Sequence, residues 1–326
     1  MKAVLVRKPY GEENAAIAEV PDPVPQKDEI VVKVLFAGLN PIDINVVRNK
    51  TVYGLKPDPH IPGSEISGVA ETSGKTIKKG DRVILYSRWF DSTCKYCKSG
   101  MEELCLNGGI FGVLSNGGYC EKISVPEKML LKIPDGVNIE DAVSIPVGGL
   151  TALHALNRTG AASGQKLLVY GASGNTGLFA TLLGKYRGME VSAVSSKEWV
   201  KKYGASAVYP HDKVPEDLKA DVIINSLGGE LFTESLNHAA PGAKIATFGV
   251  FTGANVQVNL AKIYTQEVEI VGTTGGTVAE MKTLLQTMQA NGIRLPTDKV
   301  FGIDHLKEAI QAYSARTNGR ILLKVQ

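Results

Sequence analysis

Two spacings of hydrophobic positions divide the chain near Pro134. Before Pro134 the apolar segments are short and β-branched, and Pro, Gly and Asp separate them. That pattern predicts strands joined by turns. The predicted strands span residues 3–7, 30–37, 67–72, 82–85 and 119–125.

Beyond Pro134, helical segments alternate with buried strands. Short apolar strands that alternate with helices indicate a parallel sheet covered on both faces. The predicted strands are 166–170, 190–195, a short one at Val208, 221–225, 244–248, 267–273 and 320–325. The predicted helices are 138–158, 178–187, 197–203, 277–290 and 306–316. The prediction is therefore an α/β protein with a doubly wound, Rossmann-type parallel sheet and a separate β-rich domain.

Composition narrows the classes of protein and partner. The 326 residues fit two domains, and 44% hydrophobic with 21% charged residues allow a sizeable core. Lysines and arginines are spread along the chain and the net charge is only +3, so no nucleic-acid partner is expected. The sequence has neither an apolar run long enough for a membrane span nor a signal-peptide core, so we expect a cytoplasmic protein without a membrane partner.

A glycine-rich turn between a predicted strand and an apolar helix is the strongest local signal. It reads Ala172-x-Gly174-x-x-Gly177, with Gly171 just before it. Such a turn lets the backbone approach a pyrophosphate, and the helix N-terminus supplies amide donors, so a dinucleotide site is predicted. A tight turn without a ligand is the alternative. The predicted cofactor-binding residues here are Gly171, Ala172, Ser173, Gly174, Asn175, Thr176 and Gly177.

The end of the second Rossmann strand indicates which nicotinamide cofactor is bound. A site that prefers NAD usually has an acidic residue there, bonded to the ribose 2′-hydroxyl. Here the strand ends in Ser195, Ser196 and Lys197, which would not repel a 2′-phosphate and could donate hydrogen bonds to it. We therefore expect NADPH, with NADH as the alternative because a serine-rich loop also accommodates it.

Four side chains with metal-binding chemistry lie in one short segment: Asp91, Cys94, Cys97 and Cys105. Three thiolates and one carboxylate can form a closed tetrahedral zinc site, which is structural because no position stays open. The sequence therefore predicts one structural zinc ion. Reduced, empty thiols and a redox pair of Cys94 and Cys97 are the alternatives. The fourth cysteine, Cys120, is predicted to be a packing residue.

The two motifs, in their order and separation, resemble the medium-chain dehydrogenase/reductase superfamily over essentially the whole chain. Further matching segments are 1–4, 38–43, 62–68, 79–83, 149–152, 221–229 and 242–245.

This resemblance implies the domain organisation. It implies a β-rich, GroES-like catalytic domain at 1–125 and 275–326, with the zinc lobe at 91–105. It implies a Rossmann dinucleotide-binding domain at 126–274, with the active site in the cleft between the domains. It also implies a homodimer or homotetramer joined at the edge of the cofactor sheet, at 267–273.

The resemblance implies further contacts to the cofactor. Thr151 would lie near the nicotinamide, and Arg320 would reach the cofactor phosphates, the alternative for Arg320 being a surface charge. The other implied contacts are Phe248, Gly249, Val250, Gly272, Thr273 and Thr274.

Zinc alcohol dehydrogenases of the superfamily hold a second, catalytic zinc, and its ligands are replaced here. Asn40 stands at their first cysteine, Ser64 at the histidine of Gly-His-Glu, and no cysteine lies near 146–149. An open catalytic zinc site is therefore not expected. Asn40-Pro-x-Asp43 resembles the zinc-free quinone and enone reductases, which usually lack the lobe at 91–105. Both features together resemble the archaeal acryloyl-coenzyme A reductases and neighbouring enoyl reductases.

The candidate catalytic residues are Asn40, Asp43 and Tyr53. Without a Lewis acid, a carbon–carbon double bond conjugated to a carbonyl is easier to reduce than a simple ketone. Hydrogen-bond donors can hold the enolate while water or a side chain protonates the α-carbon. By resemblance, Asn40 would contact the nicotinamide end or the substrate carbonyl, and Tyr53 would donate a proton or a hydrogen bond. Each has a structural alternative: a turn at Asn40, a helix cap at Asp43 and packing at Tyr53.

Three functions follow from these observations. The first is an NADPH-dependent reductase of a small enone, quinone or acryloyl-type thioester. The second is an alcohol dehydrogenase with an unusual catalytic metal or none. The third is a non-catalytic dinucleotide-binding protein, which would bind the cofactor without turnover.

Overall fold

The computed structural model of the protein describes residues 1–54, 56–315 and 317–326. The chain divides into two compact units. Unit 1 comprises Met1–Val147 and Thr277–Gln326, and unit 2 comprises Gly148–Gly276.

Strands and helices are numbered separately in chain order. The strands are β1 (Lys2–Leu5), β2 (Ala16–Glu19), β3 (Glu29–Gly38), β4 (Ile66–Ala70), β5 (Arg82–Leu85), β6 (Arg88–Trp89), β7 (Gly109–Ile110), β8 (Lys122–Pro126), β9 (Leu130–Lys132), β10 (Lys166–Tyr170), β11 (Glu190–Val194), β12 (Ala207–Tyr209), β13 (Ala220–Asn225), β14 (Ala239–Thr247), β15 (Glu269–Gly272), β16 (Thr297–Gly302) and β17 (Arg320–Lys324). The α-helices are α1 (Pro41–Val47), α2 (Lys95–Lys98), α3 (Ile139–Ala142), α4 (Leu150–Arg158), α5 (Asn175–Tyr186), α6 (Gly229–Ser235), α7 (Leu260–Thr265), α8 (Val278–Asn291) and α9 (Leu306–Ser314). A π-helical turn spans Ile145–Gly149.

Unit 1 is built around a mainly antiparallel sheet. Among the described residues its strand order is β16-β17-β3-β4-β5-β9, and β8 also pairs with β3. The long strand β3 pairs with β4, β8 and β17, so it holds the centre of the sheet. Its β-branched residues Val32 and Val34 are fully buried, as expected for a central strand packed on a core. Strand β17, near the chain end, thereby lies beside residues 36–38.

Residues 126–147 belong to unit 1 in the structure, whereas the sequence prediction assigns them to the Rossmann domain. Two contacts explain the assignment. Strand β9 extends the unit 1 sheet by pairing with β5. The buried carboxylate of Asp141 accepts hydrogen bonds from Arg294 Nη1 (3.1 Å) and from the amide of Leu295 (3.0 Å), both in unit 1.

The helical pattern over 138–158 does not form one continuous helix, because the segment forms α3, the π-helical turn and α4. Asn138 caps α3, with its side chain accepting a hydrogen bond from the amide of Glu140 (3.1 Å). Pro146 has no amide hydrogen and the next two residues are glycines, so a regular α-helical ladder does not continue through this stretch.

Unit 2 has one parallel sheet in the order β12-β11-β10-β13-β14-β15. Numbered within the unit, this is the order 3-2-1-4-5-6 of a Rossmann fold, so the predicted fold class is confirmed. The strand order reverses between β10 and β13, which is where such folds bind dinucleotides.

Some predicted element bounds differ from those observed. The segment 198–203 is a 3-10 helix, and β8 begins at Lys122 after a buried turn that holds Tyr119 and Cys120. The predicted end of the last helix, Arg316, lies outside the described residues. None of the helices described here is long and apolar enough to span a membrane.

Candidate functional site

The glycine turn after β10 has the conformation that a dinucleotide site needs. Gly171 has a φ of +70°, a backbone conformation that residues with a side chain rarely adopt. A Cβ atom on Gly177 would lie 2.2 Å from the Gly171 carbonyl oxygen, so the start of α5 requires glycine to approach the turn.

The N-terminal end of α5 adjoins the glycine turn. Gly174 is its N-cap and provides no side-chain oxygen, and the helical ladder begins with Leu178 N donating to Gly174 O (2.8 Å). The amides that precede this bond point out of the helix end, together with the positive end of the helix dipole. The arrangement fits a cofactor pyrophosphate, which the predicted residues 171–177 would hold.

The other predicted cofactor residues of unit 2 follow neighbouring parallel strands. Because the carboxyl ends of parallel strands share one edge of a sheet, their residues gather at the edge that carries the glycine turn. Those at this edge are Ser195–Lys197 after β11, Phe248–Val250 after β14, and Gly272–Thr274 at the end of β15. Thr151 lies in the first turn of α4 and is buried.

Ser195 shapes the loop after β11. Its amide donates to the carbonyl oxygen of Tyr209 (2.8 Å), and its Oγ accepts a hydrogen bond from the amide of Lys197 (3.0 Å). No acidic side chain occurs at residues 195–197, and Ser196 is exposed. The local arrangement is therefore compatible with a ribose 2′-phosphate.

The predicted cofactor-binding residues do not include Asn225, a fully buried residue at the end of β13. Its Oδ1 accepts hydrogen bonds from the amides of Leu227 (2.9 Å) and Gly228 (3.2 Å), and its Nδ2 donates to the carbonyl of Leu231 (3.0 Å). Asn225 thus holds the loop beside the glycine turn. The signal available in the sequence was an amide residue that ends an apolar strand immediately before a turn.

The four predicted zinc ligands lie together between β6 and β7. Asp91 follows β6, Cys94 caps α2, Cys97 lies within α2, and Cys105 ends a short 3-10 helix. Their ligand atoms all lie within 4.8 Å of one another.

The distances between these atoms fit one tetrahedral ion. Cys94 Sγ lies 3.6 Å from Cys97 Sγ and 4.0 Å from Cys105 Sγ. Asp91 Oδ1 lies 3.6 Å from Cys97 Sγ and 3.4 Å from Cys105 Sγ. Zinc–sulfur bonds of about 2.3 Å place tetrahedral sulfur ligands roughly 3.8 Å apart, whereas a disulfide needs about 2.0 Å. The donor set therefore fits zinc better than a Cys94–Cys97 disulfide.

The second carboxylate oxygen of Asp91 is held by neighbouring side chains. Asn107 Nδ2 and Thr93 Oγ1 each donate to Oδ2 at 2.5 Å. The hydrogen bond from Asn107, followed by those from Thr93, holds the pKa of Asp91 well below its usual range. Asp91 is thereby kept ionised and oriented with Oδ1 toward the thiols.

Two of the three predicted catalytic residues lie at the start of α1. Asn40 is the N-cap of α1, and its backbone N–H donates to Oδ2 of Asp43 (3.0 Å). The other oxygen, Asp43 Oδ1, accepts from the Ser64 amide (2.9 Å) and Ser64 Oγ (2.8 Å). Asp43 and Ser64 are fully buried, and their hydrogen bonds tie the start of α1 to the segment before β4.

Burial raises the pKa of Asp43 to about 7, against the opposing effect of the hydrogen bonds from Ser64 and Asn40. Burial also raises the pKa of Tyr119 well above its usual value, with Asp43 and Glu65 adding to the effect. Tyr119 donates its hydroxyl hydrogen to the carbonyl of Gly38 (2.9 Å). These groups form a polar region within an apolar core.

The third predicted catalytic residue, Tyr53, packs against a different group of residues. Its neighbours are Val46, Ile110 and Val113, in a small apolar cluster. A catalytic role for Tyr53 stays a prediction.

The structure joins Asn40 to two charged residues, Glu65 and Arg320. Asn40 Nδ2 donates to Glu65 Oε2 (2.7 Å), and Arg320 Nη2 donates to the same oxygen (3.2 Å). Burial lowers the pKa of Arg320, and Glu65 opposes that effect. Arg320 is 6% exposed, so it is not the surface charge considered as an alternative. Its predicted contact with cofactor phosphates stays a prediction.

Two family models match separate parts of the chain. The alcohol dehydrogenase GroES-like domain matches residues 26–135, and the zinc-binding dehydrogenase domain matches residues 176–290.

Similar proteins align over nearly the full length. An acryloyl-coenzyme A reductase from Sulfurisphaera tokodaii is 29% identical, with 99% of this chain and 100% of the relative covered. A quinone oxidoreductase from Mus musculus is 26% identical, with 99% of this chain and 98% of the relative covered. A solved cobalt- and zinc-bound thermostable alcohol dehydrogenase from Pyrobaculum aerophilum is 31% identical, with a TM-score of 0.93 and 100% and 99% coverage.

The matches to both family models, the full-length likeness to these relatives and the Rossmann strand order lead to one assignment. The chain is an oxidoreductase that belongs to the medium-chain dehydrogenase/reductase superfamily.

Proposed function

We propose that the protein uses NADPH to reduce an activated carbon–carbon double bond or a quinone, without a catalytic metal. The substrate class is a small enone, quinone or acryloyl-type thioester. The likeness to an acryloyl-coenzyme A reductase and a quinone oxidoreductase over nearly the whole chain supports this class.

The single observation that carries the proposal is the donor set around Asn40. The side chains at two positions where zinc alcohol dehydrogenases have ligands are an amide and a hydroxyl, at Asn40 and Ser64. Both are committed to carboxylates, Asn40 to Glu65 and Ser64 to Asp43. An amide and a hydroxyl are poor replacements for thiolate and imidazole, so these residues do not fit a catalytic zinc.

When bound, the nicotinamide supplies the hydride. The chain's own contribution is binding, orientation and electrostatics. We propose that residues 171–177 bind the pyrophosphate and that Asn40 orients the substrate carbonyl or the nicotinamide end. Developing negative charge on a carbonyl oxygen is stabilised by preorganised donors, and a buried, hydrogen-bonded amide is preorganised.

NADPH is the proposed cofactor because the loop after β11 lacks a carboxylate. Ser195 orders this loop by accepting from the Lys197 amide, and the lysine side chain adds positive charge nearby. Hydrogen bonds to a phosphate group are charge-assisted and therefore strong.

We also propose that Asp91, Cys94, Cys97 and Cys105 hold one zinc ion. When bound, the ion supplies a cross-link that fixes the lobe 91–105. The four ligands fill a tetrahedral coordination sphere, so the role is structural.

The proposed partner is a second copy of the chain, and the proposed location is the cytoplasm. Strand β15 is the last strand of the unit 2 sheet among the described residues, and Ile270 on it is 43% exposed. Nearby in sequence, Leu260 and Tyr264 of α7 are also exposed. An apolar, unpaired strand edge favours pairing with another chain.

A second candidate function is alcohol dehydrogenation. It is favoured by the 31% identity and TM-score of 0.93 to the Pyrobaculum aerophilum alcohol dehydrogenase. It would require catalytic ligands other than those of the zinc alcohol dehydrogenases.

The proposed reaction predicts oxidation of NADPH in the presence of an enone, a quinone or an acryloyl thioester. The assay follows cofactor absorbance against these three compounds and an aldehyde, with zinc counted in the same sample. We expect turnover on at least one of the first three, with about one zinc per chain. Turnover confined to the aldehyde, or a second zinc lost together with activity, would establish the alcohol dehydrogenase instead. Cofactor binding with no turnover on any compound would reject both enzymes.

For the zinc lobe, Cys97→Ser should abolish zinc binding and lower the melting temperature, because it removes one of four ligands. Cys120→Ser is the matched control, since Cys120 is buried outside the lobe and should leave the zinc content unchanged. Metal content and thermal unfolding are measured on both variants. Equal zinc content in both, or a Cys94–Cys97 disulfide in the untreated protein, would contradict the assignment.

Cofactor preference is tested by Ser195→Asp. A carboxylate here should repel the 2′-phosphate and raise the Kd for NADPH by about tenfold, equivalent to roughly 1.4 kcal/mol. The Kd for NADH should change little. Ser163→Asp adds the same charge before the amino end of β10 and should leave both constants unchanged. A wild-type protein that binds NADH more tightly than NADPH would overturn the preference.

The proposed interface is tested by placing a charge on the sheet edge. Ile270→Lys should lower the molar mass measured by light scattering, because a buried unpaired charge disfavours association. Val300→Lys is the control: Val300 is similarly exposed, at 46%, on strand β16 of unit 1. A monomeric wild type, or an oligomer unaffected by Ile270→Lys, would refute this interface.

A further inference from the structure

We propose that Glu65 is the positioning residue of the candidate active site, and that Arg320 serves to balance its charge. The carboxylate of Glu65 would fix the orientation of the Asn40 amide relative to the backbone at Val147. This inference rests on the proposed function, in which Asn40 contacts the substrate or the nicotinamide end.

Both carboxylate oxygens of Glu65 are engaged. Oε2 accepts hydrogen bonds from Asn40 Nδ2 (2.7 Å) and Arg320 Nη2 (3.2 Å). Oε1 accepts from the amide of Val147 (2.9 Å). Glu65 thereby connects three segments: the start of α1, the π-helical turn and β17.

The chain makes room for this arrangement at Gly38. A Cβ atom at this position would lie 2.2 Å from Glu65 Oε2 and 2.9 Å from Arg320 Nη2. The backbone of Gly38 also donates to the carbonyl of Glu65 (3.1 Å). Position 38 therefore requires glycine for steric reasons, because a side chain here would push the two charged groups apart.

Burial explains why the pair must stay together. The side chains of Glu65 and Arg320 are 0% and 4% exposed. A buried charge without its partner is strongly destabilising, whereas a well-packed neutral pair often replaces a buried ion pair without loss. Other ionisable groups that influence this region are Asp43 on α1, Tyr119 in the turn before β8, Asp141 on α3 and Tyr313 on α9.

The hydrogen bond to Glu65 fixes which end of the Asn40 side chain faces the carboxylate. A carboxylate accepts hydrogen bonds, so the NH₂ end of the amide faces Glu65 and the carbonyl end is directed elsewhere. The backbone N–H of Asn40 donates a separate hydrogen bond to Asp43 Oδ2 (3.0 Å). Removing the Glu65 charge would weaken the hydrogen bond that Asn40 Nδ2 donates, while the Asn40 backbone N–H stays bonded to Asp43.

The chain offers a matched control in Asp141. This carboxylate is also buried and also accepts hydrogen bonds from an arginine, Arg294, and from a backbone amide, at Leu295. Neither of these two hydrogen bonds involves Asn40. If Glu65 has a purely structural role, Glu65→Gln and Asp141→Asn should change kcat and the melting temperature in the same way.

The test compares the full-length protein with Glu65→Gln, Asp141→Asn and the neutral double variant Glu65→Gln/Arg320→Met. Three quantities are measured: kcat and KM on the preferred substrate, the melting temperature, and hydrogen exchange at the Val147 amide. We expect Glu65→Gln to lower kcat by about 10- to 100-fold, the loss typical of misplaced catalytic groups, and to speed exchange at Val147. Asp141→Asn should lower the melting temperature while kcat stays within about twofold.

The double variant separates charge from positioning. It should regain much of the melting temperature, because no unpaired buried charge remains, while kcat stays low. It also keeps the test valid if Glu65→Gln alone does not fold. Recovery of kcat in the double variant, or a kcat that follows the melting temperature in all variants, would overturn the proposal. A wild-type protein without turnover would reject the proposed function instead. In that case, unchanged hydrogen exchange at Val147 in Glu65→Gln would still reject the proposed role of the hydrogen bond between Val147 and Glu65.

Discussion

A charged carboxylate removed from water is stabilised by hydrogen bonds and by an opposite charge, and unit 1 supplies both at Glu65. Its oxygens accept from Asn40, Val147 and Arg320, three residues distant in the chain. The central strand β3 ends at Gly38, where a missing side chain leaves space for the ion pair. The geometry at the start of α1 therefore depends on a charge balance inside the core.

In the same region, two polar residues near the start of α1 are held without a metal ion among the described residues. A metal site organises its surroundings because several ligands converge on one ion. Here the side chains converge on two carboxylates instead, Ser64 on Asp43 and Asn40 on Glu65. Hydrogen bonds to these carboxylates hold both residues in place.

In unit 2 the corresponding constraint is steric. Gly177 must be glycine because the helix start approaches the Gly171 carbonyl closely. That close approach brings the amides of α5 to the end of β10, at the point where the strand order reverses. The parallel sheet then gathers loops from β11, β13, β14 and β15 at one edge. Asn225 orders one of these loops through three hydrogen bonds of its own side chain.

The sequence by itself determined the features that depend on near neighbours in the chain. The strand, glycine turn and helix around Gly171–Gly177 follow from local conformational preferences. The four candidate metal-binding side chains of residues 91–105 are close enough in sequence to meet. The alternation of strands and helices likewise predicted the Rossmann fold. The break at Pro146 also had a local cause, yet the helical pattern on both sides obscured it.

Only the tertiary structure decided the partners of buried charges. Arg320 and Glu65 lie 255 positions apart and meet because β17 pairs with β3 beside residues 36–38. Glu65 and Arg320 carry no local sequence signal that says whether they face solvent, a ligand or each other. The free energy of a buried charge depends on every group around it, and those groups come from distant parts of the chain.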